Sequence, residues 1–69
     1  MTLGNRIRNR REELGLNQVE LAEKSKLTQA TISRIESDII APKATTLIVL
    51  AIALDLAPNA FLTEERRAS

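Results

Sequence analysis

Between Thr2 and Gly15 the apolar residues Leu3, Ile7 and Leu14 stand four and seven apart, the spacing that gathers side chains on one face of a helix, and Gly15 supplies a stop. The pattern predicts a first helix over Leu3 to about Leu14. Asn17 then offers an N-cap side chain with Glu20 three positions later, a capping-box-like start. Leu21, Ala22 and Ser25 share a face behind it, so a second helix is expected over Gln18 to about Ser25. After the short Lys26-Leu27 connection, Thr28 can cap a third helix, Gln29 to about Ser37, with Ile32 and Ile35 on its inner face. Pro42 breaks the chain in the loop from Asp38 to Ala44; Thr45 is read as the cap of a fourth helix ending near Asp55. Leu47, Leu50, Ala51 and Leu54 lie together on that helix. Pro58 opens a short fifth helix carrying Phe61 and Leu62, and the polar residues 63–69 read as a fraying tail. With no strand-like alternation, repeat or low-complexity segment, the expected fold is all-α: five short helices in one domain, residues 1–69.

The outer face of the third helix has an unusual composition. Stepping about 100° per residue places Ala30, Ser33, Arg34 and Ser37 opposite Ile32 and Ile35, with Gln29 and Glu36 at one border. Solvated faces are commonly studded with Glu and Lys, whereas this one offers an amide, two hydroxyls, a methyl and one guanidinium. A DNA major groove, about 12 Å wide, admits one helix with its side chains. Small residues let that helix approach the base edges, Gln can pair with adenine N6 and N7, and Arg with guanine O6 and N7.

Composition narrows the alternatives. A chain of 69 residues suffices for one small domain, and 43% hydrophobic with 28% charged residues places it among soluble globular proteins. Without cysteine, neither disulfides nor thiolate metal sites can staple the fold, which suits a reducing cytoplasm. Without His or Cys there is no usual nucleophile–base pair, so an enzyme is the poorest reading, and neither a metal, a cofactor nor a small-molecule ligand is implied. The longest apolar run, Leu47 to Leu54, has eight residues, against roughly 20 for a membrane span. Net charge is only +1, yet Arg6, Arg8, Arg10 and Arg11 crowd one end of the chain. They form either a solvated basic face offset by Glu12 and Glu13 or a surface for an anionic partner.

The stretch "NQVELAEKSKLTQATISRIES" with the later "P" and "LIVLAIAL" resembles the Cro and phage-repressor type of helix-turn-helix, the xenobiotic-response-element family, over Ile7 to Leu62. Gln18 matches the first position of its twenty-residue core, Ala22 the small residue where the helices cross, and Ile32 and Ile35 the interior of the recognition helix. The resemblance implies a lambda-repressor-like DNA-binding domain: a cytoplasmic transcriptional regulator, expected to be a repressor, reading pseudo-palindromic double-stranded DNA as a homodimer. It implies base contacts from Gln29, Ala30, Ser33 and Arg34, and phosphate contacts from Asn17, Gln18 and Lys43. It also implies that Arg11 pairs with Glu36, tying the first helix to the end of the third. The other reading joins Arg11 to Arg8 in a phosphate-facing stripe. Four departures stand out: Lys26 and Asp38 occupy positions where the family favours Gly, Ala57 replaces a hydroxyl cap, and Ile39 and Ile40 replace polar or basic loop residues.

Ile48 and Ile52 fall one turn apart on a flank of the fourth helix that is not needed for its own core, with Ile40 nearby in sequence. A two-fold contact would cover them and give the homodimer its interface; the alternative packs them under the loop from Asp38 to Ala44. Some members of the family are antitoxins, so a protein-interaction module using the apolar fourth helix is the competing functional reading.

Overall fold

In the computed structural model, which describes residues 1–62, four helices follow in chain order: α1 (Leu3–Glu13), α2 (Gln18–Ser25), α3 (Gln29–Glu36) and α4 (Ala44–Ala53). A fifth helix opens at residue 60. Three N-termini are closed by side chains, each satisfying an amide that has no partner inside the helix. Thr2 accepts from the Asn5 amide at 3.1 Å and Thr28 from the Thr31 amide at 3.1 Å. Asn17 and Glu20 form a reciprocal capping box, at 2.7 and 2.8 Å. The fourth N-terminus corrects the sequence reading: helical backbone starts at Ala44, Lys43 is the cap residue with no side-chain bond, and Thr45 lies inside the first turn. After Pro42, Lys43 is extended at φ −70° and ψ 161°, so helical dihedrals begin one residue before the threonine.

All four C-termini close in the same way. The residues at φ 73° (Gly15), 60° (Lys26), 60° (Asp38) and 59° (Asp55) are left-handed, and the amide after each returns to a carbonyl of the last turn. Those bonds are Leu16 to Arg11 at 3.1 Å, Leu27 to Ala22 at 3.0 Å, Ile39 to Arg34 at 2.9 Å and Leu56 to Ala51 at 2.8 Å. This is the Schellman arrangement, built once with glycine and three times without it.

Helix α3 packs on α1 and α2, and α2 on α4. The core between them joins Ile7, Leu21, Ile32, Ile35, Leu47, Leu50, Leu54 and Phe61, each at most 2% exposed. Fully burying a side chain of this size contributes about 1.5–3 kcal/mol. Ala22 and Ala51 are buried with them, and buried Ser25 satisfies its hydroxyl by donating to the Leu21 carbonyl at 2.8 Å. Helix α1 comes close to the end of α3 at Gly4, where a Cβ would stand 2.5 Å from the Ile35 carbonyl oxygen and 2.6 Å from that of Glu36.

Candidate functional site

With Ile32 and Ile35 fixed in the core, the phase of α3 is set, and its far side is open. Gln29, Ala30, Arg34 and Ser37 are exposed and Ser33 is half-buried. Among the described residues Arg34 has no carboxylate partner, so its guanidinium keeps all its donors. The turn that presents this face, residues 26–28, is short because Lys26 takes the left-handed conformation and Thr28 caps α3 at once.

Behind the face lies a polar clamp. Arg11 is buried and meets Glu36 in a two-pronged pair, Nε to Oε2 at 2.7 Å and Nη2 to Oε1 at 2.9 Å. Its remaining Nη1 donates to the Leu16 carbonyl at 2.8 Å, and the Gln18 amide donates to Glu36 Oε1 at 3.2 Å. Helices α1, α2 and α3 are thus tied at one point beside the exposed face. The hydrogen bond to Glu36 holds the Arg11 guanidinium above the ordinary arginine range, outweighing the desolvation that would lower it. Arg8 is not in the same position as Arg11: it is exposed and pairs with Glu12 one turn on, at 3.3 Å.

The residues expected near phosphates fall at helix starts. Asn17 uses its side-chain oxygen in the cap of α2, which leaves its NH₂ group outward. Because that cap serves Glu20, the amides of Gln18 and Val19 in the first turn keep no intrahelical acceptor, a geometry suited to an anion. Gln18 spends one of its two side-chain donors on Glu36 and keeps the second. Lys43 is exposed immediately before α4. Of the residues expected at a dimer contact, Ile52 is 56% exposed, Ile40 40%, and Ile48 only partly so. Val49, absent from the sequence reading, is 39% exposed and stands one turn before Ile52.

Three further contacts had no clear signal in the sequence. Asp38 reaches back 36 residues to accept from the Thr2 hydroxyl at 2.6 Å, and also accepts from the Gly4 amide at 3.0 Å. Arg10 donates to the Leu54 carbonyl at 3.0 Å, fastening α1 to the end of α4. Arg6 lies over the Phe61 ring, 5.7 Å from its centroid. Each joins positions far apart in the chain, where periodicity carries no information. Among the described residues no group of His, Cys, Asp and Glu is placed to hold a metal ion, and no helix is long and apolar enough to cross a membrane.

Comparison with known proteins places this arrangement. The helix-turn-helix family model matches residues 7–61. The chain is 42% identical over 65 residues to the immunity repressor protein of Bacillus phage phi105, covering 94% of this chain and 45% of that protein. It therefore spans less than half of that curated relative. Among solved structures it is similar to the P22 c2 repressor in complex with a synthetic operator, with 30% identity and a TM-score of 0.80 over 88% of this chain and 92% of that one. It is also similar to a chain of the SinR–SinI protein complex, with 29% identity and a TM-score of 0.81 over 99% of this chain and 67% of that one.

Proposed function

The chain belongs to the helix-turn-helix family, and we propose that it is a sequence-specific, double-stranded-DNA-binding transcriptional repressor that acts in the cytoplasm as a homodimer. The observation that carries this reading is the exposed face of α3: Gln29, Ala30, Ser33 and Arg34 outward, backed by a buried clamp that fixes how the helix is presented. Inserted into a major groove, Gln29 pairs with adenine by donating to N7 and accepting from N6, Arg34 donates twice to guanine, and Ala30 and Ser33 permit close approach. Asn17, Gln18, Lys43 and Arg8 hold phosphates and set the register. Arg8 is available for this because an exposed i,i+4 pair with Glu12 is worth only about 0–1 kcal/mol. The Arg11–Glu36 pair is structural. Residues 1–69 act as one DNA-binding domain without an enzymatic role, the second copy covering the apolar side of α4 with Ile40, Ile48 and Ile52. The similarity of sequence to a phage immunity repressor, and of fold to a repressor crystallised on operator DNA, supports this reading.

Selection of bound sites from random duplex DNA tests it. The expected product is a pseudo-palindrome with half-sites about one helical turn apart, roughly 34 Å. Recovery of no enriched sequence would refute the proposal. A second reading, a module that binds another protein through α4, rests on the exposed Val49 and Ile52 and predicts capture of a partner without any DNA preference.

A further inference from the structure

The left-handed residue that ends α3 is an aspartate, and each oxygen of its carboxylate accepts a hydrogen bond from the start of α1. Oδ2 accepts from the Thr2 hydroxyl at 2.6 Å and Oδ1 from the Gly4 amide at 3.0 Å. The Gly4 amide belongs to the first turn of α1 and has no intrahelical acceptor, while the neighbouring Asn5 amide is taken by Thr2. Asp38 therefore completes the cap of α1 from the far end of α3, with its negative charge at the positive pole of α1. The absence of a side chain at Gly4 lets the two backbones come this close, since a Cβ there would collide with the last carbonyls of α3. The same residue lies between two parts of the proposed DNA surface. Ile39, next in the chain, donates to the Arg34 carbonyl at 2.9 Å, and the segment beyond it leads to Lys43.

We propose that Asp38 is a positioning residue for DNA reading: by clasping Thr2 and Gly4 it fixes the C-terminal end of α3 and the loop to Lys43 against α1. Arg34 then meets a base and Lys43 a phosphate in one register. Glycine at position 38 would meet the backbone requirement without strain, so what the aspartate adds is its carboxylate. The inference rests on the DNA-binding role proposed above.

Asp38→Gly and Asp38→Asn separate the clasp from the fold. Glycine takes the left-handed conformation freely but offers no acceptor; asparagine tolerates the conformation and keeps an oxygen acceptor toward Gly4. Both remove the same charge, so any general change in attraction to phosphate is common to them. Two quantities are read in wild type and variants: hydrogen exchange of the Gly4 amide, and the ratio of affinities for a selected operator and a random duplex. In Asp38→Gly the Gly4 amide should exchange faster and the ratio should fall about tenfold, near the low end of what one misread base pair costs. Asp38→Asn should restore most of both. An Asp38→Gly variant that keeps the wild-type ratio overturns the positioning role, as does an Asp38→Asn variant no better than Asp38→Gly. Thr2→Val removes both the hydroxyl that donates to Asp38 and the acceptor that caps the Asn5 amide, so the ratio should fall in the same direction; an unchanged ratio there with fast Gly4 exchange counts against the proposal. A wild-type protein with no discrimination overturns the DNA reading itself. Failure of the clasp alone leaves wild-type discrimination intact.

Discussion

Arg34 and Gln29 are the side chains on which sequence choice should rest, because they alone on the exposed face of α3 can make two hydrogen bonds to one base. Replacing either with alanine is expected to cost about 1–3 kcal/mol of specific binding while leaving affinity for random duplex nearly unchanged. Quantitative binding to selected and scrambled sites measures both, and an unaltered preference would show that α3 is not the reader. Arg11 should behave differently. Its pair with Glu36 is buried, and removing the guanidinium leaves a carboxylate with only Gln18 beside it, so Arg11→Ala should cost about 3–5 kcal/mol of folding stability. Since the folded protein raises the Arg11 pKa, the stabilisation is fully present below the arginine range and declines only as pH rises through it. Urea unfolding between neutral and mildly alkaline pH should show no Arg11-linked loss. The outward set Ala30, Ser33, Arg34 and Ser37 was legible from the helical phase of Ile32 and Ile35, while the base-reading role proposed for Gln29, Ala30, Ser33 and Arg34 came from the family resemblance. The Arg11–Glu36 pair spans 25 residues and was reached only through the family resemblance, and the clasp of Asp38 on Thr2 and Gly4 was missed.

At the level of elements, helix starts were easier to read than helix ends. Asn17 with Glu20, and Thr28, carry their capping chemistry in adjacent residues. The ends turn on left-handed backbone, which sequence announces clearly only through glycine. Lys26 and Asp38 were expected to adopt it only because the family favours glycine there, and Asp55 gave no such sign. Helix α4 was misread for a related reason: it is apolar all round, so periodicity fixes its inner face but not which flank stays open, and Val49 escaped notice. Lys26 at φ 60° carries a cost of roughly 1–2 kcal/mol, whereas glycine pays about 0.4–1 kcal/mol through its freer unfolded chain. Lys26→Gly should therefore stabilise the protein by about 0.5–1 kcal/mol in urea or thermal unfolding. Operator preference should not change, because Lys26 lies outside the α3 face. A loss of stability would mean that the lysine stem's packing near Val49 and Ile52 outweighs the backbone strain.

For the whole molecule, the balance of charge is nearly even at +1, so the proposed DNA affinity must come from local placement of cations and helix N-termini. If each subunit neutralises three or four phosphates, log affinity against log salt should fall with a slope near −5 to −7 for a dimer. A flat response in duplex titrations would remove nucleic acid from the picture.

In the proposed dimer the contact is the side of α4 turned away from the core. Ile52 is 56% exposed and Val49 39%, one turn apart, so Val49 joins Ile40, Ile48 and Ile52 in the surface proposed for the second copy, and the Val49–Ile52 pair is its most exposed part on α4. A lone exposed aliphatic residue needs no cover, but neighbours on one helix face make a contiguous apolar strip, and a two-fold contact buries it twice. In that proposal the same contact sets the separation of the two α3 helices, so losing it should abolish cooperative operator binding even though each subunit still carries its proposed reading face. Val49→Lys with Ile52→Glu tests this without entering the core, which Leu47, Leu50, Ala51 and Leu54 fill. The expected product is a folded monomer by sedimentation and circular dichroism, binding half-sites weakly and independently. A variant that remains dimeric places the interface elsewhere. One that unfolds shows that the strip supports its own subunit; the milder Ile52→Gln alone should then lower stability rather than weaken association.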